Sequence, residues 1–324
     1  GLFESLVTAS AAAPLALPDL VALPRPLLES AALKGLIYPY DSPTLSLDGE
    51  GWFEYAQQLG YLQTTLFGLP FAGDALVLVY RPDTLSAPSD WLSLLDSGHT
   101  LVFPAADPNA FFTLAFYLAQ GGVLQDSQGR PALTESALLN VLEYYRQAAA
   151  VSLMPFWLTQ SESDSQAWAT FTAEGHPLLV TWLSHYMTEQ RTATTNLALA
   201  SLPAIDGQQF TLATGWTWAL ASPDPYRRAL SMQLAESLVE ETFLGQWTQV
   251  SGYLPPRPGA LENWTDSTLR GPVEQIARFT QLVPPTELLA SLGPLLEQAA
   301  VSVLKAESTP QAAVLNALEQ LQIP

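Results

Sequence analysis

Apolar runs of strand length alternate with helical periodicities along this chain, which predicts an α/β fold. Ala75–Tyr80, Thr100–Phe103, Leu178–Trp182 and Trp216–Ala221 read as buried strands. Leu138, Val141, Leu142 and Tyr145 recur at the i, i+3, i+4, i+7 spacing of an amphipathic helix. The 26 prolines and 19 glycines fall between such segments as punctuation. Strands of this kind are expected to lie parallel, with ligand sites beyond their C-terminal ends.

Local signals set the elements in order. Asp19–Leu23 is a short strand after Pro18, and the helix Leu27–Lys34 closes at Gly35, a residue suited to a left-handed C-terminal stop. In LPFAGDALVLVYRPDTL (69–85) the apolar strand starts at Ala75, which leaves Asp74 in a turn at its mouth. Thr134 stands at the N-cap of the Leu138–Tyr145 helix. Asp224 and Pro225 supply an N-cap and first-turn proline for a helix with Leu230, Leu234 and Leu238 in line. The tail is helical, with breaks expected near Pro284–Pro285, Gly293–Pro294 and Pro310.

Composition excludes several function classes. Of 324 residues, 12 are Lys or Arg and 31 are Asp or Glu, a formal net charge of −19. Nucleic acid would need a basic footprint, and an anionic membrane surface would repel such a chain. With no cysteine, disulfide scaffolds, zinc ribbons and thiol catalysis are out. The three histidines, His99, His176 and His185, lack metal-ligand spacing, and no phosphate-binding or nucleophile-elbow motif is present, so no metal, cofactor or catalytic set is expected. No uninterrupted apolar run reaches about 18 residues. The start, GLFESLVTASAAAPLALPDL, has no basic region and carries Glu4, so it does not read as a signal peptide.

Acids and aromatic residues gather at strand ends instead. Phe71 and Asp74 flank one strand; Asp107 and Asn109 follow another; Trp182, His185 and Tyr186 close a third; Trp216 opens a fourth, and Tyr253 sits in SGYLPP. Singly, each has an ordinary explanation as core or cap. Together they describe a surface of flat apolar faces and acceptors, which suits a sugar: C–H faces stack on rings and hydroxyls donate to carboxylates. Acids with Trp faces also suit a polyamine. Asp74 and Asp107 could instead form a glycosidase pair, which needs a separation of about 5–9.5 Å.

In order along the chain, PDLVAL, ALKGLIYPYDS, FGLPFAGDALVLVYRPDTL, FPAADPNAFFTLAFYLAQGG, FTAEGHPLLVTWLSHYM, TGWTWALASPDPYRRAL and SGYLPPRPGAL resemble the landmarks of extracytoplasmic solute-binding proteins of ABC importers, the family that includes maltose-binding protein. Arg81-Pro82 stands where that family has Asn-Lys. The resemblance implies two α/β lobes around a cleft: residues 1–75 and 217–265, then 76–216 and 266–324. It implies a solute, most simply a sugar or oligosaccharide, captured by lobe closure and delivered to an ABC permease. A sensing role is the other option, and the site is expected in the periplasm or at the cell surface, with a lipid anchor on the precursor left open. Within the resemblance Asp74 falls on a sugar-binding carboxylate, His185 near a stacking Trp, and Asp107–Asn109 near an acid-Pro-Tyr contact. Trp216 is expected as the stacking platform and Trp218 as core. The family begins with a strand, a helix and a second strand ahead of the segment matching Leu2–Leu23. The first lobe is therefore expected to lack them in the given sequence, whether they are trimmed from it or supplied by another chain, and the chain is expected to be a monomer unless another chain completes that lobe.

Overall fold

The computed structural model describes residues 2–12, 17–41, 47–191, 195–205 and 207–321. In chain order its elements begin α1 (Leu2–Ala12), β1 (Leu20–Pro24), α2 (Arg25–Leu33), α3 (Glu54–Gly60), β2 (Tyr61–Leu62), β3 (Thr65–Leu66) and β4 (Gly68–Tyr80). There follow α4 (Trp91–Leu95), β5 (Leu101–Val102), α5 (Phe111–Ala119), α6 (Glu135–Ala150), a 3-10 turn at Phe156–Gln160, α7 (Asp164–Glu174), β6 (Leu178–Trp182) and α8 (Leu183–Gln190). The chain continues with β7 (Ala198–Ala200), β8 (Thr211–Leu220), α9 (Pro225–Leu238), α10 (Glu241–Ser251), α11 (Pro258–Glu262) and α12 (Ser267–Arg278). It ends with β9 (Thr280–Leu282), α13 (Thr286–Leu304) and α14 (Pro310–Leu321).

Two compact units divide these elements: Gly1–Ala75 with Ala213–Val283, and Leu76–Leu212 with Pro284–Pro324. The chain passes from one to the other within β4, within β8 and after β9. The sequence placed the second and third passages at 216/217 and 265/266. The observed ones lie elsewhere because α12 and β9 stay with the first unit: β9 pairs with β8, and Val283 N donates to Ala213 O at 2.7 Å.

In the first unit β8 runs antiparallel to both β1 and the first half of β4. One face of this sheet is packed by Val21 and Leu23 of β1 against Leu6, Leu28 and Ala31. The paired glycines Gly73 and Gly215 turn their missing side chains to the same face, and Tyr55 and Leu59 of α3 fill the space. The opposite face holds Leu69, Phe71, Ala72 and Leu220 against Ala235, Val239 and Leu244.

In the second unit Leu76–Tyr80 of β4 pairs antiparallel with β6 and β7, and among the described strands β5 alone runs parallel to its neighbour, β6. The expectation of a parallel sheet is therefore corrected. Burial of Val77, Leu78 and Val79 on both faces was read correctly (each 0 % exposed), but burial does not specify strand direction. Leu138, Val141, Leu142 and Tyr145 are buried as their periodicity requires, and Tyr145 Oη shares a 3.0 Å hydrogen bond with Thr113 Oγ1. Thr134 occupies the N-cap of α6 but accepts from Val123 N rather than capping its own helix. Helix α13 runs through Gly293–Pro294 without a break. Gly293 is needed there because a side-chain carbon would sit 2.7 Å from Pro108 O. By length and composition α13 could cross a membrane, yet Leu288, Leu292, Leu296, Ala300 and Val303 are buried and the helix packs on α5, α6 and α14.

Asp224 caps α9 as expected, its side chain accepting from Tyr226 N. The apolar line on that helix is turned outward at Leu230 and Leu234. Ser231 and Ala235 are buried, whereas Leu230 is 49 % and Leu234 53 % exposed.

Candidate functional site

The strand carrying Asp74 is longer than its apolar run. β4 begins at Gly68, so Asp74 lies inside the strand opposite Thr214, not in a turn before it. The polar and small residues of LPFAG pair because β8 supplies a full antiparallel partner, which no local pattern announces. An irregularity between Pro70 and Ala72 adds one residue to this ladder. Such a bulge re-aims a side chain, and Phe71 is turned onto the indole of Trp218 at 4.4 Å and 22°.

Alternation then assembles one face. Ala72 is opposite Trp216 and Asp74 opposite Thr214, so Asp74, Thr214, Trp216 and Trp218 share the side of the sheet away from α3. Phe71 is 7 % exposed, covered by Trp218 and by an edge contact with Trp247 at 5.4 Å; it backs the surface rather than forming it. Trp247 in turn lies parallel to Tyr253 at 5.8 Å and 5°. Trp216 is half-buried, packed against the cluster that contains Leu69, Phe71 and Leu220. Trp218, expected in the core, is also only half-buried, with its Nε1–H enclosed and lacking a partner among the described residues.

Backbone pairing brings Tyr253 to this face: Gly73 and Leu254 exchange two hydrogen bonds of 2.7 Å. Tyr55 Oη donates to Leu254 O at 3.3 Å from the other side. Burial raises the pKa of both tyrosines, and the Asp74 charge raises it further. Asp74 thus stands half-exposed with its charge felt by two phenols and beside an indole face. That is an acceptor next to a stacking plane.

In the second unit Trp182 ends β6 and meets the Phe111 ring edge-on at 5.3 Å. Asp107 turns the chain into α5: its carboxylate accepts from Asn109 N at 3.0 Å and Phe111 N at 3.1 Å. Burial nevertheless raises its pKa, against the lowering by those bonds, and Asp164 raises it further. Asn109 is exposed. His185 Nδ1 is joined to the Asp164 carboxylate, its Nε2 is 3.9 Å from Glu189 Oε1, and Trp168 lies against the ring at 4.9 Å. Its side chain keeps 18 % of its surface. Tyr186 is withdrawn from the candidate set, because it is 2 % exposed and donates to Leu197 O inside the unit. Burial also raises Glu297, offset by Lys305 and reinforced by Asp107 and Glu162. No group of three or more His, Asp or Glu among the described residues is placed to hold a metal ion.

Tyr55, Trp247, Asp164 and Trp168 were missed from the sequence. Tyr55 and Trp168 read as core positions of their helices, Asp164 as a first-turn acid of α7, and only contacts distant in sequence bring the four to the acids and rings described above.

Two α/β units with acids and rings set on their strands are the architecture of the two-lobed solute-binding class. Residues 3–271 match the family of bacterial extracellular solute-binding proteins, and the chain belongs to that family. Its place is accordingly outside the cytoplasm. No curated protein matches it in sequence. Among solved structures it is similar to the sugar-binding protein MalE of Xanthomonas citri (TM-score 0.83, 18 % identity, 99 % of this chain and 86 % of that one). It is also similar to the maltose-binding MalE of Listeria monocytogenes in complex with maltose (0.82, 14 %, 99 % and 88 %). A third is a cyclo/maltodextrin-binding protein complexed with maltotetraose (0.79, 18 %, 99 % and 85 %). At these identities the likeness establishes the fold.

Proposed function

We propose that this chain binds a sugar or oligosaccharide and hands it to an ABC-type permease. The observation that carries the ligand class is the sheet face bearing Asp74, Trp216 and Trp218. A carboxylate beside indole planes matches hydroxyl donors next to C–H faces. Two of the similar solved proteins named above carry maltose and maltotetraose, which supports the same class. Tyr253 stands with them in the first unit, and Trp182, Asp107, Asn109 and His185 are the second unit's own candidate contacts to the sugar. Capture needs no covalent step, so the protein acts as a carrier and not as an enzyme.

A thermal-shift screen with glucose, maltose, maltotriose, maltotetraose and spermidine tests the proposal. A ligand at a hundredfold excess over its Kd stabilises the folded chain by about 2.7 kcal/mol, a readily measured shift. Stabilisation by spermidine and by no sugar would overturn the sugar assignment. New reducing ends appearing on incubation with the oligosaccharides would overturn the carrier assignment.

A further inference from the structure

Two helices hold the His185 ring, each through residues one turn apart. Along α7, Asp164 and Trp168 stand at i and i+4 and share a face. The Asp164 carboxylate meets Nδ1, and the Trp168 ring lies against the imidazole at 4.9 Å and 35°. Along α8, Glu189 follows His185 at i+4, with Oε1 3.9 Å from Nε2. A carboxylate only accepts, so the hydrogen between Asp164 and the ring belongs to Nδ1. The helix does not require this use of Asp164. Ser163 caps α7 by accepting from Gln166 N, and a first-turn acid complements the helix dipole while facing water. Here the Asp164 side chain keeps only 21 % of its surface and is turned onto the ring.

The same carboxylate acts on a second candidate contact. Burial first, and the Asp164 charge after it, hold the Asp107 carboxyl above its ordinary pKa. Phe111, whose N–H donates to Asp107, carries the ring that Trp182 meets edge-on. Glu297 of α13 is raised by burial, lowered by Lys305, and raised again by Asp107 and Glu162. A protonated His185 supplies this acidic neighbourhood with a positive charge, and a neutral one does not.

We propose that Asp164 is the positioning residue of the second unit's sugar contacts: it fixes the tautomer and orientation of the His185 ring, and the pair ties sugar affinity to pH. This rests on the reading of His185 and Asp107 as sugar contacts. With the ring protonated, the bond to Asp164 is ionic and the two charges cancel. When the ring loses its proton, a weaker neutral donor holds it, and the Asp164 charge stands uncompensated among Asp107, Glu162, Glu189 and Glu297. A neutral sugar does not titrate near neutral pH, so any such pH dependence belongs to the protein. Affinity is expected to fall as pH rises through the imidazole range, about pH 5 to 8.

Nitrogen NMR of the histidine rings in the ligand-free chain tests the pair directly, with His185→Gln assigning the signal. The neutral wild-type ring should carry its hydrogen on Nδ1. Asp164→Asn should lose that preference and titrate about one pH unit lower, since it keeps the shape and removes the charge. Calorimetry with maltotetraose then reads the consequence. Wild-type affinity should fall about fivefold across the imidazole range, the difference between an ionic and a neutral hydrogen bond. Asp164→Asn should bind about fivefold more weakly than wild type on the acid side and equally on the alkaline side, with little change in Tm. Asp164→Glu should restore part of the pH dependence. Wild-type chain that binds no sugar would sink the sugar reading and this role with it, and the ring signals would still respond to Asp164→Asn, which separates that case from a failure of the pair. A tautomer and midpoint unchanged in Asp164→Asn, or a pH profile of affinity that this variant shares with wild type, would overturn the proposal.

Discussion

Replacing Asp74 by Ala removes the acceptor that the proposed site depends on most. The residue is half-exposed in β4 opposite Thr214, on the same face as Trp216. A hydrogen bond to a charged acceptor contributes about 1.5–3 kcal/mol, so affinity for the sugar found in the screen should fall between about tenfold and 150-fold. Asp74→Asn separates charge from shape, keeping an acceptor oxygen while losing the ionic part, and should fall between wild type and Ala. The structure provides an internal control. Asp74 raises the pKa of Tyr253, after the larger effect of burial, so both variants should move that phenol back toward its ordinary pKa. Calorimetric titration reads the affinity, ultraviolet difference titration reads the tyrosine, and melting without ligand reads the fold. If the tyrosine moves while affinity stays at the wild-type value, Asp74 faces the ring and not the ligand. A drop of several degrees in Tm before ligand is added would make the acid structural, and the reasoning would fail.

Trp216→Ala should abolish most sugar binding with modest loss of stability, whereas Trp218→Phe keeps the stack on Phe71 and removes an enclosed N–H without a partner, whose cost is about 1–3 kcal/mol. Titration and melting of the pair check this, and normal binding by Trp216→Ala would remove the stacking platform. For Asp107, burial raises the pKa in the folded state above its unfolded value, so ionisation penalises the fold at pH above the folded value and not below the unfolded one. Asp107→Asn should therefore gain on wild type in Tm at neutral pH and lose that gain as pH falls through the carboxylate range; a pH-independent difference would show that the lost cap bonds dominate. Gly73→Ala would push a methyl into the buried Tyr55 ring and should destabilise by about 1–3 kcal/mol, read by denaturant unfolding.

Local pattern was sufficient for the elements whose cause is local. The apolar run Leu178–Trp182 is β6, the 3.6-residue spacing at Leu138–Tyr145 is buried in α6, and Asp224 caps α9 through a bond two residues away. The ordered landmarks carried the family, because they extend over most of the chain and each is tied to a strand end or turn. Tertiary structure alone decided the rest. Strand direction was not legible, since a doubly buried strand has the same composition in either orientation. The seven residues added to the front of β4, and with them the position of Asp74, depend on β8, whose sequence lies about 140 residues further on. The bulge that turns Phe71 onto Trp218 is a property of the paired ladder and of neither strand alone. Periodicity located the apolar line of α9, but a period has no sign: whether Leu230 and Leu234 face the sheet or the solvent is set by which side of the helix the sheet accepts, and here it accepts Ser231 and Ala235.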